Sequence, residues 1–466
     1  MVEIHDLSAI EQGALIRRGE LTPRELAAHY LDRTARLDDV GAFVTVHGDR
    51  SLAAADALGP VPADAGPLWG VPTAIKDLNS TAGVRTTFGS AAFSDYVPEV
   101  SDNVTLSIEA AGMISLGKTN TPEFGSPCYT EPDVAPPAVT PWDRSRGAGG
   151  SSGGAAAAVA AGLVPLAQGS DGGGSIRIPA STCGLVGFKP SRGVVSGSPM
   201  YGDPIGLATA GSIARDVGDA AALLDVLAGR RVGDPYWSPS AEDPFLAAVR
   251  AEPGRLRVAR FIEPVIADVV PEPVVVEAWE EASRLLESLG HEVVDVPVPL
   301  PHEAVGTFEV CWAVLTALSV VPAEREHLIR PLTRWLSERG RAVSGPEFGL
   351  AIGQLRRYAA QALAALEPFD LVLTPTLAQV PALVGGLRDD ADPARDFALQ
   401  KAFTPWTSAW NVTGMPSVSL PLHWSVDGLP VGVMLAAAPG RDALLLSAAA
   451  QIEAAVGGFT RRPPRW

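Results

Sequence analysis

Gly149-Gly150-Ser151-Ser152-Gly153-Gly154 and Ser170-Asp171-Gly172-Gly173-Gly174-Ser175-Ile176-Arg177 are the two stretches on which the reading of this chain turns. Each sets a serine inside a glycine run, with the Ala-rich, helix-like segment Ala155–Ala161 between them. Glycine reaches backbone shapes that other residues avoid and lets a bound molecule approach the main chain. Three glycines directly before Ser175 allow consecutive N–H groups to point into one small space, the arrangement that stabilises the oxyanion of acyl transfer. A pair of tight turns is the alternative, and composition alone leaves both open.

A serine nucleophile needs a base. The seven histidines are few and poorly placed, so a lysine is considered. Lys76 ends the apolar run Trp69-Gly-Val-Pro-Thr-Ala-Ile-Lys76-Asp77. A lysine drawn into such surroundings loses solvation, its pKa falls, and it serves as a neutral base near pH 7. A partly buried Lys76 paired with Asp77 is the competing reading. Two familiar patterns also occur. Gly112-Met-Ile-Ser-Leu-Gly117-Lys118-Thr119 satisfies the phosphate-loop spacing, but its middle is apolar and strand-like, and Thr119 and Asn120 are expected to end a strand. Gly150-Ser151-Ser152-Gly153-Gly154 satisfies the nucleophile-elbow pattern without the buried strand that must precede it, and neither His327 nor His423 lies in a suitable loop.

The runs GVPTAIKD, GGSSGG and SDGGGSIRIPAS closely resemble the amidase signature family of serine hydrolases. The likeness extends to LGKTNTPEF (Leu116–Phe124), CGLVGFKPSRG (Cys183–Gly193), FDLVLTPTL and WNVTGMPSVSLPL, and so covers most of the chain. The resemblance implies Lys76 as base, Ser151 as relay with a cis peptide bond from Gly150, and Ser175 as nucleophile. It further implies an oxyanion hole from the N–H groups of Gly172, Gly173, Gly174 and Ser175. Ser152 is similar to the family's supporting serine, and Asp171 and Arg177 to residues that brace the nucleophile loop. The family more often carries Ile or Thr where this chain has Gly172, a change that widens the space beside the hole.

Outward from that core, Thr22-Pro23 opens a helix, Arg255–Phe261 reads as a strand, and Val275 through Leu289 forms one helical face capped by Gly290. His291–Val298, Phe369–Leu373, Ser417–Pro421 and Val431–Ala436 read as strands, Phe348–Leu366 and Ala443–Ala454 as helices, and Leu387–Arg395 as a charged loop. Strands alternating with helices imply an α/β fold, a mixed central sheet covered on both faces. With no repeat or linker, residues 1–466 are expected to form one large domain: a helical segment to about 66, the motif core about 67–200, then further sheet and helices 201–466. The net charge of −17 counts against nucleic acid and anionic membranes. Three cysteines in no metal-like spacing fit reduced thiols, and with no signal-like N-terminus a soluble, cytoplasmic protein is expected, monomer or homodimer.

The mechanism implied needs no metal or organic cofactor: Lys76 takes a proton from Ser151, Ser151 from Ser175, and the relay then protonates the leaving nitrogen. No acidic residue lies between Phe397 and Val426, while Trp406 and Trp410 do, which points away from free glutamine and from the glutaminase subunit of a tRNA-dependent amidotransferase. An apolar or aromatic amide is expected instead, with anilides (an aryl acylamidase), esters and carbamates (a urethanase) as candidates. Ser126, Tyr129 and Thr130, in GSPCYT, and the two tryptophans are candidate substrate contacts. Core packing is the alternative for the tryptophans.

Overall fold

The computed structural model describes residues 3–199, 203–238 and 243–466. Among the described residues eleven strands are interspersed with helices: β1 (Phe43–Val46), β2 (Pro72–Lys76), β3 (Ile114–Thr119), β4 (Leu166–Asp171), β5 (Val186–Lys189), β6 (Thr209–Ala214), β7 (Arg257–Arg260), β8 (Glu292–Asp295), β9 (Leu371–Pro375), β10 (Ser417–Trp424) and β11 (Pro430–Ala437). Eight form a mixed sheet in the order β4-β6-β5-β10-β11-β9-β7-β8, antiparallel except for the parallel pairs β9/β7 and β7/β8. The other three form a smaller sheet, β1-β3-β2. The fold is the expected single-domain α/β architecture with helices on both faces.

Period-two alternation assigns side chains to the two faces. Leu371 and Leu373 of β9, with Val433 and Leu435 of β11, join the core built with helices Val217–Leu227, Pro273–Ser288 and Asp442–Ala455. Val372, Met434 and Ala436, between them in register, join a second core containing Trp406 and Trp410. Helix Gly153–Ala160 is buried on every side, which its small residues permit: a Cβ on Gly154 would lie 2.3 Å from the Asn120 nitrogen and 2.4 Å from the Ala42 oxygen.

β2 and β4 lie side by side with no backbone ladder between them among the described residues. Side chains bridge instead: Thr73 Oγ1 donates to the Leu166 carbonyl (3.2 Å) and the Lys76 N–H to Gln168 Oε1 (2.9 Å). Lys76 therefore ends one sheet exactly where the neighbouring sheet leads into the glycine loop before Ser175.

Candidate active site

Lys76 is fully buried at the end of β2. Its Nζ donates to Ser151 Oγ (2.8 Å), Ser170 Oγ (3.0 Å) and the Ser170 carbonyl (3.3 Å). Burial lowers its pKa to about 7, against a smaller opposing pull from Asp171. Asp77 is not its partner. That carboxylate accepts from the Thr87 N–H (2.9 Å) and pairs with Lys118 (3.4 Å). Gly117, Lys118 and Thr119 belong to β3, a strand and not a phosphate loop, so the lysine of the phosphate-loop pattern and the aspartate beside Lys76 account for each other.

The Gly150–Ser151 peptide bond is cis. Residues 141–149 before it are turn and loop, lacking the strand a nucleophile elbow requires. A Cβ on Gly150 would meet the backbone of Cys128 and Tyr129 at 2.8–2.9 Å, so only glycine lets these two segments pack. Ser152 exchanges hydrogen bonds with Ser170, its Oγ donating to the carbonyl (3.1 Å) and accepting from the N–H (3.2 Å), and the Ser152 N–H donates to the Ser175 carbonyl (3.1 Å). Ser151 and Ser175 open into the same cavity, and their hydroxyls are not hydrogen-bonded to each other.

The loop before Ser175 is tied from below. Asp171 Oδ1 accepts from the Gly174 N–H (2.7 Å), Oδ2 from the Ile176 N–H (3.1 Å), and Arg177 Nη2 pairs with Oδ1 at 2.9 Å, both side chains fully buried. Burial works to raise the Asp171 carboxyl, and the Arg177 guanidinium overcomes it, holding it below the usual carboxylate range. Asn411 Nδ2 donates to the same carboxylate (2.8 Å) and Thr407 Oγ1 to the Gly173 carbonyl (2.6 Å). Gly174 has φ +131°, and a Cβ there would lie 2.4 Å from Thr407 Oγ1. Because the Gly174 N–H is turned onto Asp171, the amides of Gly172, Gly173 and Ser175 are the ones left without a partner among the described residues.

Two cavities meet at Ser175. The larger, about 410 Å³, is walled by Leu78, Phe88, Phe124, Leu207, Trp312 and Leu315, and holds Ser151, Ser170 and Gly172. The smaller, about 60 Å³, lies toward Cys128, Ile178, Phe308 and Phe397. Ser126 and Trp312 line both.

Of the five expected substrate contacts, only Ser126 reaches a cavity. Trp406 and Trp410 are 0% and 1% exposed and belong to the core, Trp406 donating to the Glu263 carbonyl (3.1 Å) and Trp410 against Phe261. Tyr129 turns to Asp396 (2.6 Å) and Thr130 to the Gly149 carbonyl (2.8 Å), both buried away from the cavities. Absence of acids from 397–426 does not leave the wall uncharged, since Asp102, Arg192, Asp203 and Asp234 line the larger cavity. Each is engaged there: Asp102 accepts from Asn79 Nδ2 and the Ser80 N–H, Arg192 donates to the Asn411 and Val412 carbonyls, Asp203 accepts from the amides of Ile205, Gly206 and Ala208, and Asp234 from Ser196 Oγ. Sequence reasoning missed Ser170, Thr407, Asn411 and Trp312. Asn411 lies within the WNVTG stretch, and Ser170 opens the second glycine run, so both were in view without an assigned contact.

A family model described as Amidase matches residues 25–446. The chain is 35% identical to the 6-aminohexanoate-cyclic-dimer hydrolase of Pseudomonas sp. (strain NK87), covering 98% of this chain and 96% of that one. The solved structure of a 6-aminohexanoate cyclic dimer hydrolase complexed with substrate superposes with a TM-score of 0.91 at 32% identity, over 99% of both chains. A bacterial aryl acylamidase of the amidase signature family superposes at 0.86 with 27% identity, over 97% of this chain and 96% of that one. Among the described residues no helix is long and apolar enough to cross a membrane.

Proposed function

This chain belongs to the amidase signature family of serine amidohydrolases, which act on C–N bonds, and from that membership we propose that it cleaves small neutral amides with Ser175 as nucleophile, Ser151 as relay and Lys76 as base. The observation that carries this reading is the Lys76 amine, buried, drawn to about pH 7 and 2.8 Å from Ser151 Oγ. Neutral Lys76 accepts the Ser151 proton as Ser151 accepts that of Ser175, whose oxygen attacks the carbonyl. The two hydroxyls face one cavity, and the relay requires them to close to hydrogen-bonding distance with the substrate carbonyl held against Ser175, as catalytic hydrogen bonds tighten once substrate binds. Oxyanion stabilisation falls chiefly to the amides of Gly172, Gly173 and Ser175. Ser151 then protonates the leaving nitrogen, and water entering through the same relay releases the acyl group.

The apolar wall of the larger cavity supports an apolar or aromatic arm on the substrate, with anilides, esters and carbamates turned over by the same acyl transfer. The two relatives named for a cyclic aliphatic amide and for aryl amides bracket that range. A free amino acid, as an amidotransferase glutaminase subunit requires, is disfavoured because the charged groups lining the larger cavity, Asp102, Arg192, Asp203 and Asp234, are already engaged by the protein itself. Labelling with a serine-directed fluorophosphonate, mapped by mass spectrometry, tests the assignment: the label is expected on Ser175 and lost in Lys76→Ala. A label on Ser152 sinks it. A panel of anilides, primary amides, esters and carbamates, run with wild type and Ser175→Ala, then ranks the substrates.

A further inference from the structure

The smaller cavity is apolar along Pro127, Ile178, Ile266, Val305 and Phe308, and its only charged lining groups among the described residues are Glu309 and Lys401. They come from facing helices, Ala304–Ala317 and Pro393–Phe403, and pair at 2.5 Å between Nζ and Oε1. The ammonium also lies 5.6 Å from the Phe397 ring centroid. Each side chain is about a quarter exposed, 27% for Lys401 and 24% for Glu309, so the pair is not sealed inside the core. An ammonium has three donors and a carboxylate about four acceptor positions, so one mutual contact leaves capacity on both.

The chemistry of the pair selects its ligand. A carboxylate arriving there meets Lys401 but is repelled by Glu309, and an ammonium meets the reverse. A methyl group leaves both charges facing hydrocarbon. A neutral carboxamide satisfies both, because its carbonyl oxygen accepts from Lys401 while an N–H on the same edge donates to Glu309. We propose that Glu309 and Lys401 are specificity-determining residues that recognise a second, neutral carboxamide on the substrate, separated from the scissile amide by an apolar spacer. The substrate class is then a diamide with an aliphatic spacer, one amide at Ser175 and the other at the ion pair. This rests on the amidase reading of Ser175 given above.

The test uses two matched series of short aliphatic amides with graded spacers, one varied on the acyl arm and one on the amine arm, each ending in methyl, carboxamide, carboxylate or ammonium. Wild type is expected to favour the carboxamide end over methyl by roughly tenfold in kcat/KM in one series, the scale of a hydrogen bond to a charged group. Lys401→Met should erase that preference and raise the relative rate of the ammonium-ended amide. Glu309→Gln should erase it and raise the carboxylate-ended one. Ratios between substrates within one variant do not depend on how much of it is folded, and the exchanged pair Glu309→Lys with Lys401→Glu, which keeps a donor and an acceptor, should recover the carboxamide preference. Equal rates for methyl and carboxamide ends in both series, or ratios that both single variants leave unchanged, overturn the proposal. Failure to hydrolyse any amide, with Ser175 unlabelled by fluorophosphonate, overturns the amidase reading itself.

Discussion

At the scale of single residues, the behaviour of the site follows from the charge on one amine. With its pKa drawn to about 7 by burial, Lys76 gains its neutral form as pH rises through that value, so kcat/KM should climb there and level off above. A profile flat across neutrality argues against Lys76 as base. Lys76→Arg should be inactive, because a guanidinium does not deprotonate in this range. Stability carries the matching sign. The folded pKa of Lys76 lies below its unfolded value of about 10.4, so the unfolded chain binds more protons between the two and stability rises with pH across that window. Lys76→Met should therefore melt higher than wild type at neutral pH, with the gain shrinking toward pH about 10.4. Ser170→Ala removes one of two hydroxyls on the amine and should lower kcat roughly three- to tenfold with KM little changed, the worth of one hydrogen bond. That Ser151 and Ser175 share one cavity was expected from the family resemblance, the glycine runs alone leaving tight turns as an equal reading. The place of Trp406 and Trp410 was not legible, because a tryptophan's role depends on which neighbours the fold brings to it, and here β7, β9 and β11 supply a core.

Among elements, helices Pro23–Leu37 and Pro273–Ser288, each with one wet face, and strands β7 to β11 lie within a few residues of expectation, β9 and β11 as short apolar runs buried on both faces. The segment Leu387–Arg395 is loop only as far as Asp392, where a side-chain cap opens helix Pro393–Phe403. Helix Ala304–Ala317 was passed over, and its position explains why. Phe308, Cys311 and Trp312 share one face at i, i+3 and i+4, but Val310, Ala313 and Val314 make the opposite face apolar too, so no period stands out. Trp312 lies between the two cavities, with its ring 3.7–3.9 Å from where side chains on Gly172 and Gly173 would begin. Trp312→Ala should merge the cavities, raising kcat/KM for amides with bulky acyl groups relative to acetyl ones; unchanged selectivity would contradict this. The same helix depends on Gly340 of helix Pro331–Arg341, where a Cβ would lie 2.1 Å from the Ala313 carbonyl oxygen. Gly340→Ala is expected to destabilise by about 2 kcal/mol through overpacking, measurable by urea titration.

For the whole molecule, the α/β class was legible from the alternation of strand and helix, but the division into two sheets was not, since sequence patterns do not report which strands lack a ladder between them. Lys76 belongs to the three-stranded sheet, and the loop bearing Ser175 leaves the eight-stranded one. Thr73, Gln168 and Lys76 itself bridge the gap. A seam held by side chains and no ladder is expected to open before the sheets it joins. Hydrolysis should therefore fail at a lower urea concentration than the loss of far-ultraviolet circular dichroism, and Gln168→Ala should widen that interval; coincident curves would refute it. Whoever purifies this enzyme should accordingly count active sites by titration instead of relying on a spectrum, for a sample can look whole and be silent. A tight inhibitor seated across the join would act as a rivet, and storage with one should preserve working catalyst that its absence lets slip away.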